Sequence, residues 1–277
     1  MTKWKGRGNR ARYDSVMLEA GPYEDVATAL AGTDFAAIAY VEETESTNAD
    51  AAAFLDDERS GGRTIVAEYQ RRGAGRKGRA WIAPAGSALL CTTILPRAVA
   101  TQRLWIVPFW TALAVRAALL DAGVLTTLQW PNDLLLGEQK LAGILCASSV
   151  SGANARVACG VGVNVHRPGT PSDIAPPPAF AGDAVPVERG ALLLGILRQY
   201  HRSLFLLDQP ERVVAEWNEA ALLPGRRYRI ERDGEDAPFE AAAQGLADGG
   251  GLSVLHADGV PEVILLADVR VLRPSTS

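Results

Sequence analysis

The sequence predicts a chain of mixed helices and strands, with one large domain followed by a small β domain. The length of 277 residues suits one large and one small unit. Nearly continuous apolar runs such as Ser87–Leu95 indicate buried strands, whereas the helical apolar spacing of Leu104–Ala122 indicates a long helix that ends before Gly123. After Pro224 and Gly225, only short strand patterns follow.

Composition and charge limit the class of protein. Hydrophobic residues make up 48% of the chain, and the net charge of −4 predicts no general attraction to nucleic acid or anionic lipid. Cys91, Cys146 and Cys159 lie in apolar runs, which favours reduced, buried thiols. Because we find no signal peptide and no apolar run of membrane-spanning length, we expect a cytoplasmic protein.

The N-terminal part is predicted to be an extension over residues 1–34, partly disordered. Met1–Tyr13 has five basic residues and no acidic one, which is typical of a frayed terminus, with contact to a polyanion as the alternative. Asp14–Thr33 has room for one amphipathic helix around Tyr23–Leu30, and we expect the whole N-terminal part, Met1–Thr33, to be too short for a winged helix-turn-helix with its linker. A short strand, Phe35–Val41, follows.

The first polar segment of interest follows that strand. Ser46, Thr47 and Asn48 can cap a helix over Ala49–Leu55. The alternative is that the same hydroxyl and amide groups face a polar ligand at the start of the helix. The residue types alone leave both interpretations open.

A basic loop, Arg71–Arg79, follows the predicted strand Thr64–Tyr69. Five of its nine residues are basic, and Gly73, Gly75 and Gly78 are interleaved with them. Glycines let successive N–H groups form a concavity for an anion, and guanidinium groups match phosphate geometry. We therefore predict a phosphate-binding loop that is mobile without its anion, with a solvated loop or a nucleic-acid patch as the alternative.

A hairpin is predicted over the next polar segment. Leu134–Leu136 and Lys140–Ser148 form its strands, with the turn at Gly137–Gln139. Lys140 begins an otherwise apolar strand and is either simply solvated or a functional cation. Asp133 is equally open to two interpretations, as a turn residue or as a ligand.

Another buried strand is predicted at Ala155–Val165, where Gly160 and Gly162 allow a close approach of backbone. Asn164 near its end is either a core amide or a ligand donor. The six prolines of His166–Val187 predict a surface loop.

The rest of the chain divides into helices and short strands. Helices are predicted at Ala191–Leu207 and Arg212–Ala220. The four strand patterns that follow suggest a small β-barrel: Arg226–Arg232, Ala237–Gln244, Gly251–Ala257 and Glu262–Leu272.

The chain offers little for metal or serine chemistry. Its three histidines are far apart and fit no ligand spacing. We find neither a GxxxxGK[ST] phosphate loop nor a Ser–His–Asp arrangement. The chemistry is therefore expected around Arg76 and Lys140.

Five segments in a fixed order resemble the biotin protein ligases: Glu45–Ala51, Ala67–Trp81, Leu128–Leu136, Lys140–Leu145 and Gly160–Val165. The resemblance covers roughly Ile38 to Leu272. It implies an α+β catalytic domain over residues 35–222, with a central mixed β-sheet flanked by helices and related to class II aminoacyl-tRNA synthetases. It also implies an SH3-like β-barrel over residues 223–277.

The resemblance implies a two-step ligase reaction. Biotin and ATP, the latter with Mg²⁺, give biotinyl-5′-AMP and pyrophosphate, and a lysine of a biotin carrier domain, such as that of acetyl-CoA carboxylase, then takes the biotin. No resident metal or prosthetic group is implied. The short N-terminal part matches the type without a DNA-binding domain, so we expect no specific DNA and no membrane partner; a homodimer is possible.

Residue roles follow from the same resemblance. The catalytic residues implied are Arg76 and Lys140. The biotin-binding residues implied are Ser46, Thr47, Asn48, Gln70, Gly73, Ala74, Gly75, Arg76, Lys140 and Gly143. The residues implied for ATP and the adenylate are Arg76, Arg79, Trp81, Asn132, Asp133 and Asn164.

Two positions depart from the family pattern. Ala74 stands where the family loop has its first arginine, which costs some positive field. Gln129 stands where a lysine precedes Trp130, which removes a charge near the nucleotide.

Three other functions compete with this one. A lipoate- or octanoate-handling ligase or transferase would share the catalytic fold. A DNA-binding biotin sensor would need the winged helix for which Met1–Thr33 lacks room. A non-catalytic biotin-binding relative would keep the pocket without turnover, and Gln129 keeps this alternative open.

Overall fold

The structure is a computed structural model that describes residues 20–169, 176–232, 237–265 and 269–274. The predicted basic tail, Met1–Tyr13, lies outside the described residues. Within the described ranges the chain forms thirteen β-strands in two sheets and five α-helices.

The larger sheet is mixed, as expected. Its strands run in the spatial order β1-β2-β3-β8-β7-β6-β5, and β4 pairs with β8. The pair β1 and β2 is parallel, and the other pairs are antiparallel. The strands are β1 Ile38–Thr44, β2 Thr64–Gln70, β3 Ala88–Ile94, β4 Val99–Ala100, β5 Thr127–Gln129, β6 Asp133–Leu136, β7 Gln139–Ser151 and β8 Asn154–Asn164.

Helices cover both faces of this sheet, which confirms an α+β core. The helices are α1 Glu24–Ala29, α2 Thr47–Ala52, α3 Val107–Asp121, α4 Arg189–Ser203 and α5 Pro210–Ala220. Residues of α3 and α4 share the main core with Cys91 and Val161 of the sheet. The short α2 packs on the opposite face, where Ala51 joins Ile65 and Ala67. The functional cleft lies on this α2 face.

Burial explains the central elements. Every residue of β3 is buried, as its nearly continuous apolar run predicted. The stretch Thr101–Asp121 is long and apolar enough to cross a membrane. The expectation that the sequence has no apolar run of membrane-spanning length was therefore wrong. This stretch is a core helix, because 56% of its most apolar 18-residue window is buried and α3 packs against α4 and the sheet.

The N-terminal segment that is described packs on the large domain. Tyr23, Val26 and Leu30 are buried in its main core. All three cysteines are free thiols; Cys91 and Cys159 are buried, and Cys146 is half-buried. Burial raises the pKa of the Cys91 thiol to about 12.

The smaller sheet is antiparallel and has the order β12-β11-β10-β9-β13. Its strands are β9 Arg227–Arg232, β10 Phe239–Leu246, β11 Leu252–His256, β12 Pro261–Ile264 and β13 Val269–Pro274. The prediction of one last strand, Glu262–Leu272, was wrong. Its first half, β12, pairs with β11, and its second half, β13, pairs with β9. Because β12 and β13 lie at opposite edges of the sheet, one continuous strand cannot form both pairs.

The smaller sheet is anchored close to the cleft. The buried indole of Trp130 donates a hydrogen bond of 2.9 Å to the carbonyl of Gly250. Gly250 has φ +83°, and an added Cβ would lie 2.9 Å from the ring of Phe109. Both the left-handed backbone and the close approach require glycine here. The contact fixes the smaller sheet against the segment that leads into β6.

Candidate active site

The predicted site residues converge on one cleft on the α2 face of the sheet. The cleft is lined by residues of α2, β2, the basic loop, β6, β7 and β8. The predicted residues that line it are Ser46, Thr47, Asn48, Gln70, Ala74, Gly75, Arg76, Arg79, Trp81, Asn132, Asp133, Lys140 and Gly143. Five segments far apart in sequence therefore meet in space.

The start of α2 supplies uncharged polar groups. Ser46 occupies the N-cap position, but its side chain makes no capping hydrogen bond. Thr47 instead turns to β2, where its backbone N–H and its hydroxyl donate to Gln70 Oε1 at 2.7 and 3.1 Å. The interpretation that these groups only cap the helix therefore does not hold for Ser46 and Thr47.

The side chain of Asn48 lies flat on the sheet. Its Nδ2 donates to the carbonyl of Leu145 at 3.0 Å, and its Oδ1 lies 3.0 Å from the hydroxyl of Thr92. A Cβ on Gly160 would lie 2.3 Å from Asn48 Oδ1. The close approach predicted at Gly160 is thus an approach by the amide of Asn48.

Gly162, two residues along β8, receives the indole of Trp81. A Cβ on Gly162 would lie 2.7 Å from the Trp81 ring, and one on Gly143 would lie 3.1 Å from it. Trp81 Nε1 is buried and has no hydrogen-bond partner among the described residues. The Lys140 ammonium lies 5.5 Å from the centre of the ring, within cation–π range.

Charged groups gather at the other end of the cleft. Lys140 Nζ lies 2.7 Å from Asp133 Oδ1, with exposed fractions of 42% and 21% for the two side chains. Arg76 Nη1 donates to Asn132 Oδ1 at 3.4 Å. Burial lowers the pKa of Arg76 below its ordinary value; Asp133 opposes this shift and Arg79 adds to it. A half-buried arginine whose environment disfavours its charge is well suited to an incoming anion.

The basic loop folds back over the cleft. Trp81 N donates to the carbonyl of Gly73 at 2.8 Å, and Gly75 N donates to that of Arg79 at 2.6 Å. At the base of the loop, Arg71 pairs with Glu43 of β1 and with Glu45, directly after β1, at 2.5 and 2.7 Å. These carboxylates reduce the repulsion expected within the loop, and the sequence places them far from it.

Gly73 and Asn164 are the two predicted residues that do not line the cleft. The carbonyl of Gly73 accepts from Trp81, so this residue shapes the loop from behind. Asn164 is buried and its Nδ2 lies 3.5 Å from the carbonyl of Lys140. Its position favours a core amide that supports the strand carrying the lysine.

Sequence reasoning missed several residues of the site. The missed lining residues are Ala80, Ile144, Leu145, Gly160, Val161 and Gly162, of which the two glycines were noted only for close approach. Thr92 was missed as well. The sequence indication for it was a hydroxyl side chain in a strand that was predicted to be buried on both faces. The run of apolar neighbours, however, does not show which groups a buried threonine contacts.

The sequence is similar to one family of known proteins. Residues 40–164 match the Biotin/lipoate A/B protein ligase family. A biotin–acetyl-CoA-carboxylase ligase of Paracoccus denitrificans is 40% identical over 154 residues, which are 53% of this chain and 57% of the relative. A protein of the same name from Mycobacterium tuberculosis is 30% identical over 259 residues, 88% of this chain and 92% of the relative.

The fold has a close parallel among solved structures. The biotin protein ligase from Aquifex aeolicus, solved in complex with biotin and ATP, superposes with a TM-score of 0.69. The two sequences are 23% identical, and the superposition covers 86% of this chain and 99% of the other. The likeness concerns the fold alone.

Proposed function

The chain belongs to the biotin protein ligase family, and we propose that its cleft performs both steps of biotin attachment. In the first step a carboxylate oxygen of biotin bonds to the α-phosphorus of ATP, and the bond to the β-phosphate breaks to release pyrophosphate. In the second step a carrier lysine amine bonds to the acyl carbon of biotinyl-5′-AMP. The acyl–phosphate bond breaks, AMP leaves, and the amine loses a proton to solvent.

One observation carries the proposal: an uncharged polar pocket and a cationic end lie in the same cleft. The first step brings a carboxylate and a polyphosphate together, so it needs fixed positive charge near both. Lys140 and Arg76 supply that charge, and Asp133 holds Lys140 in place at 2.7 Å. ATP carries its own Mg²⁺ as a substrate complex in this reaction.

The polar end suits the ureido ring of biotin. Ser46, Thr47, Asn48 and Gln70 offer hydroxyl and amide groups without charge, and the ring is neutral with both donors and acceptors. A lipoyl or octanoyl chain would leave these groups unpaired, and a site built for hydrogen bonds rejects such a ligand. Gly143 and the backbone of Ala74 and Gly75 complete this end, and Gly73 shapes the loop from behind.

The adenylate occupies the other end in this proposal. Trp81 covers it, Asn132 and Asp133 form its corner, and Arg79 adds charge at the mouth. Asn164 supports the strand of Lys140 from behind. Closure of the basic loop excludes water, which protects the mixed anhydride from hydrolysis.

The domain plan and the partners complete the proposal. Residues 35–222 form the catalytic domain, and residues 223–277 form an SH3-like domain. The acceptor is a biotin carrier domain such as that of acetyl-CoA carboxylase, in a reducing cytoplasm suited to three free thiols. We expect no specific DNA binding, and a homodimer is compatible with the reaction.

The test is a carrier-biotinylation assay with purified protein, biotin and MgATP. We expect biotin-dependent release of pyrophosphate followed by biotin on one carrier lysine. Lipoate and octanoate offered in place of biotin should give no release. Pyrophosphate released only with lipoate or octanoate would instead identify a lipoate- or octanoate-handling enzyme, and tight biotin binding without turnover would identify a non-catalytic relative.

A further inference from the structure

Thr92 is a buried residue that connects polar side chains of the cleft through hydrogen bonds. Its hydroxyl lies 2.8 Å from Thr47 Oγ1 and 3.0 Å from Asn48 Oδ1. Thr92 is fully buried and pairs with Gly160 on β8, so no side chain of β8 stands between it and Asn48. Thr92 therefore touches two of the polar residues at the start of α2.

The backbone fixes which amide atom is the acceptor on either side. Gln70 Oε1 accepts the backbone N–H of Thr47, so its oxygen faces Thr47. Asn48 Nδ2 donates to the carbonyl of Leu145, so the Asn48 oxygen faces Thr92. Two amide oxygens thus end a chain that contains only two hydroxyl groups, those of Thr47 and Thr92.

Two arrangements of the hydroxyl protons satisfy these distances. In one, Thr92 donates to Thr47, and Thr47 donates to Gln70, so Asn48 Oδ1 keeps a lone pair open. In the other, Thr92 donates to Asn48 Oδ1, and Thr47 still donates to Gln70. In both arrangements the hydroxyl of Thr92 orients the side chains of Thr47 and Asn48.

From this we propose that Thr92 is a positioning and specificity-determining residue of the biotin pocket. Its hydroxyl holds the side chains of Thr47 and Asn48 in the orientation that meets the ureido ring of biotin. This inference rests on the proposed function, since it assigns the ligand of the polar pocket to biotin. It predicts a role in binding the ring and none in the charge chemistry at Lys140.

The test replaces Thr92 with valine, alanine and serine and measures pyrophosphate release as biotin or MgATP is varied. Thr92→Val and Thr92→Ala should raise the KM for biotin by about 3- to 10-fold, as expected for one neutral hydrogen bond. The KM for MgATP and kcat should stay within about 2-fold of wild type. Thr92→Ser should restore the biotin KM, because serine keeps the hydroxyl. The KM for desthiobiotin, which keeps the ureido ring, should rise by the same factor as the KM for biotin.

Thr93→Val is the matched control. Thr93 is the next residue on β3, so its side chain faces the other side of the sheet. It is equally buried, and its hydroxyl lies 3.0 Å from that of Thr64. We expect Thr93→Val to change the melting temperature about as much as Thr92→Val, with no change in the biotin KM.

The outcomes separate this inference from the proposed function. A wild-type protein without biotin-dependent pyrophosphate release would overturn the proposed function itself. An active wild type whose Thr92→Val and Thr92→Ala variants keep the biotin KM and lose only melting temperature would show that Thr92 is purely structural. Equal rises in the KM for biotin in Thr92→Val and Thr93→Val would also contradict the inference.

Discussion

Lys140 is the second residue of β7, and its side chain is 42% exposed, beside Asp133 and over the face of Trp81. An exposed ion pair contributes little to folding, about 0–1 kcal/mol. The same ammonium facing a carboxylate and an α-phosphate makes charge-assisted bonds that contribute about 1.5–3 kcal/mol each. The value of this lysine therefore lies in the chemistry and not in stability.

Lys140→Ala should lower the rate of adenylate formation by roughly 10- to 150-fold, the kinetic equivalent of that charge-assisted bond. Its melting temperature should stay close to wild type. The measurement is single-turnover pyrophosphate release beside a thermal melt. Arg103→Ala is the control, because it removes one exposed cation paired with Asp208 away from the cleft. Equal rates in Lys140→Ala and wild type would remove the lysine from the reaction.

The chemistry of the site could be predicted from the sequence, but its internal contacts could not. The residue types left the roles of Lys140 and of the polar residues at the start of α2 open, and the resemblance to the biotin protein ligases assigned them. Arg71 pairs with Glu43 and Glu45, which lie 26 or more positions away in sequence. Only the parallel register of β1 and β2 brings these residues together.

Among the elements, β8 contains two glycines that leave room for side chains of the cleft. Gly160 and Gly162 point to the same face, since they are two residues apart on one strand. Gly160 seats the amide of Asn48, and Gly162 seats the indole of Trp81. One strand thus positions a residue of each proposed subsite.

Gly160→Ala and Gly162→Ala should separate the two subsites. The new Cβ on Gly160 would displace Asn48 and should raise the KM for biotin more than that for MgATP. The new Cβ on Gly162 would displace Trp81 and should do the reverse, with changes on the order of 10-fold from an overpacking cost of about 1–3 kcal/mol. Gly169→Ala, where an added Cβ meets nothing within 4 Å, is the control. Identical profiles for the first two variants would refute this division.

The basic loop is the element whose behaviour the sequence predicted most specifically. We expect hydrogen exchange over residues 71–79 to slow when biotinyl-AMP binds, because the anion offsets an ordering cost of about 1–2 kcal/mol per residue. Arg76→Gly should release the intermediate faster and label exposed lysines indiscriminately. Peptides from α4, which packs on the sheet face away from the cleft, serve as the internal control. Unchanged exchange and an unchanged release rate would make the loop a static scaffold.

Other elements show which structural features a local sequence pattern can predict and which it cannot. The strand β3 was predicted almost to the residue, because full burial leaves a continuous apolar run. The last two strands were merged into one, because strand propensity continues from β12 to β13 while their partners lie at opposite edges. Pairing across a sheet depends on the path of the whole chain, which no local window contains.

At the scale of the whole molecule, the two sheets meet beside the corner proposed for the adenylate. Trp130 begins the turn after β5 and lies two residues before Asn132, while its indole donates to Gly250, between β10 and β11 of the smaller sheet. Arg226 adds a longer contact of 3.5 Å to the carbonyl of Leu128. The small domain is thereby coupled to the segment proposed to hold the nucleotide, and the sequence pattern alone gave no indication of this contact.

Trp130→Phe tests that coupling, since phenylalanine keeps an aromatic ring but cannot donate to Gly250. The orphaned carbonyl should lower the free energy of unfolding by about 1–3 kcal/mol. Because Asn132 and Asp133 follow directly, the KM for MgATP should rise several-fold while that for biotin stays unchanged. Steady-state titration of each substrate, beside urea unfolding, measures both effects.

Trp110→Phe is the matched control for this variant. The indole of Trp110 is equally buried and donates to Ser203, but both residues lie in the large domain on the sheet face away from the cleft. Its loss should lower stability by a similar amount and leave both KM values unchanged. If Trp110→Phe raised the KM for MgATP as much as Trp130→Phe does, the effect would be one of general destabilisation. A rise confined to Trp130→Phe would mean that the small domain shapes the nucleotide end of the cleft through this one hydrogen bond.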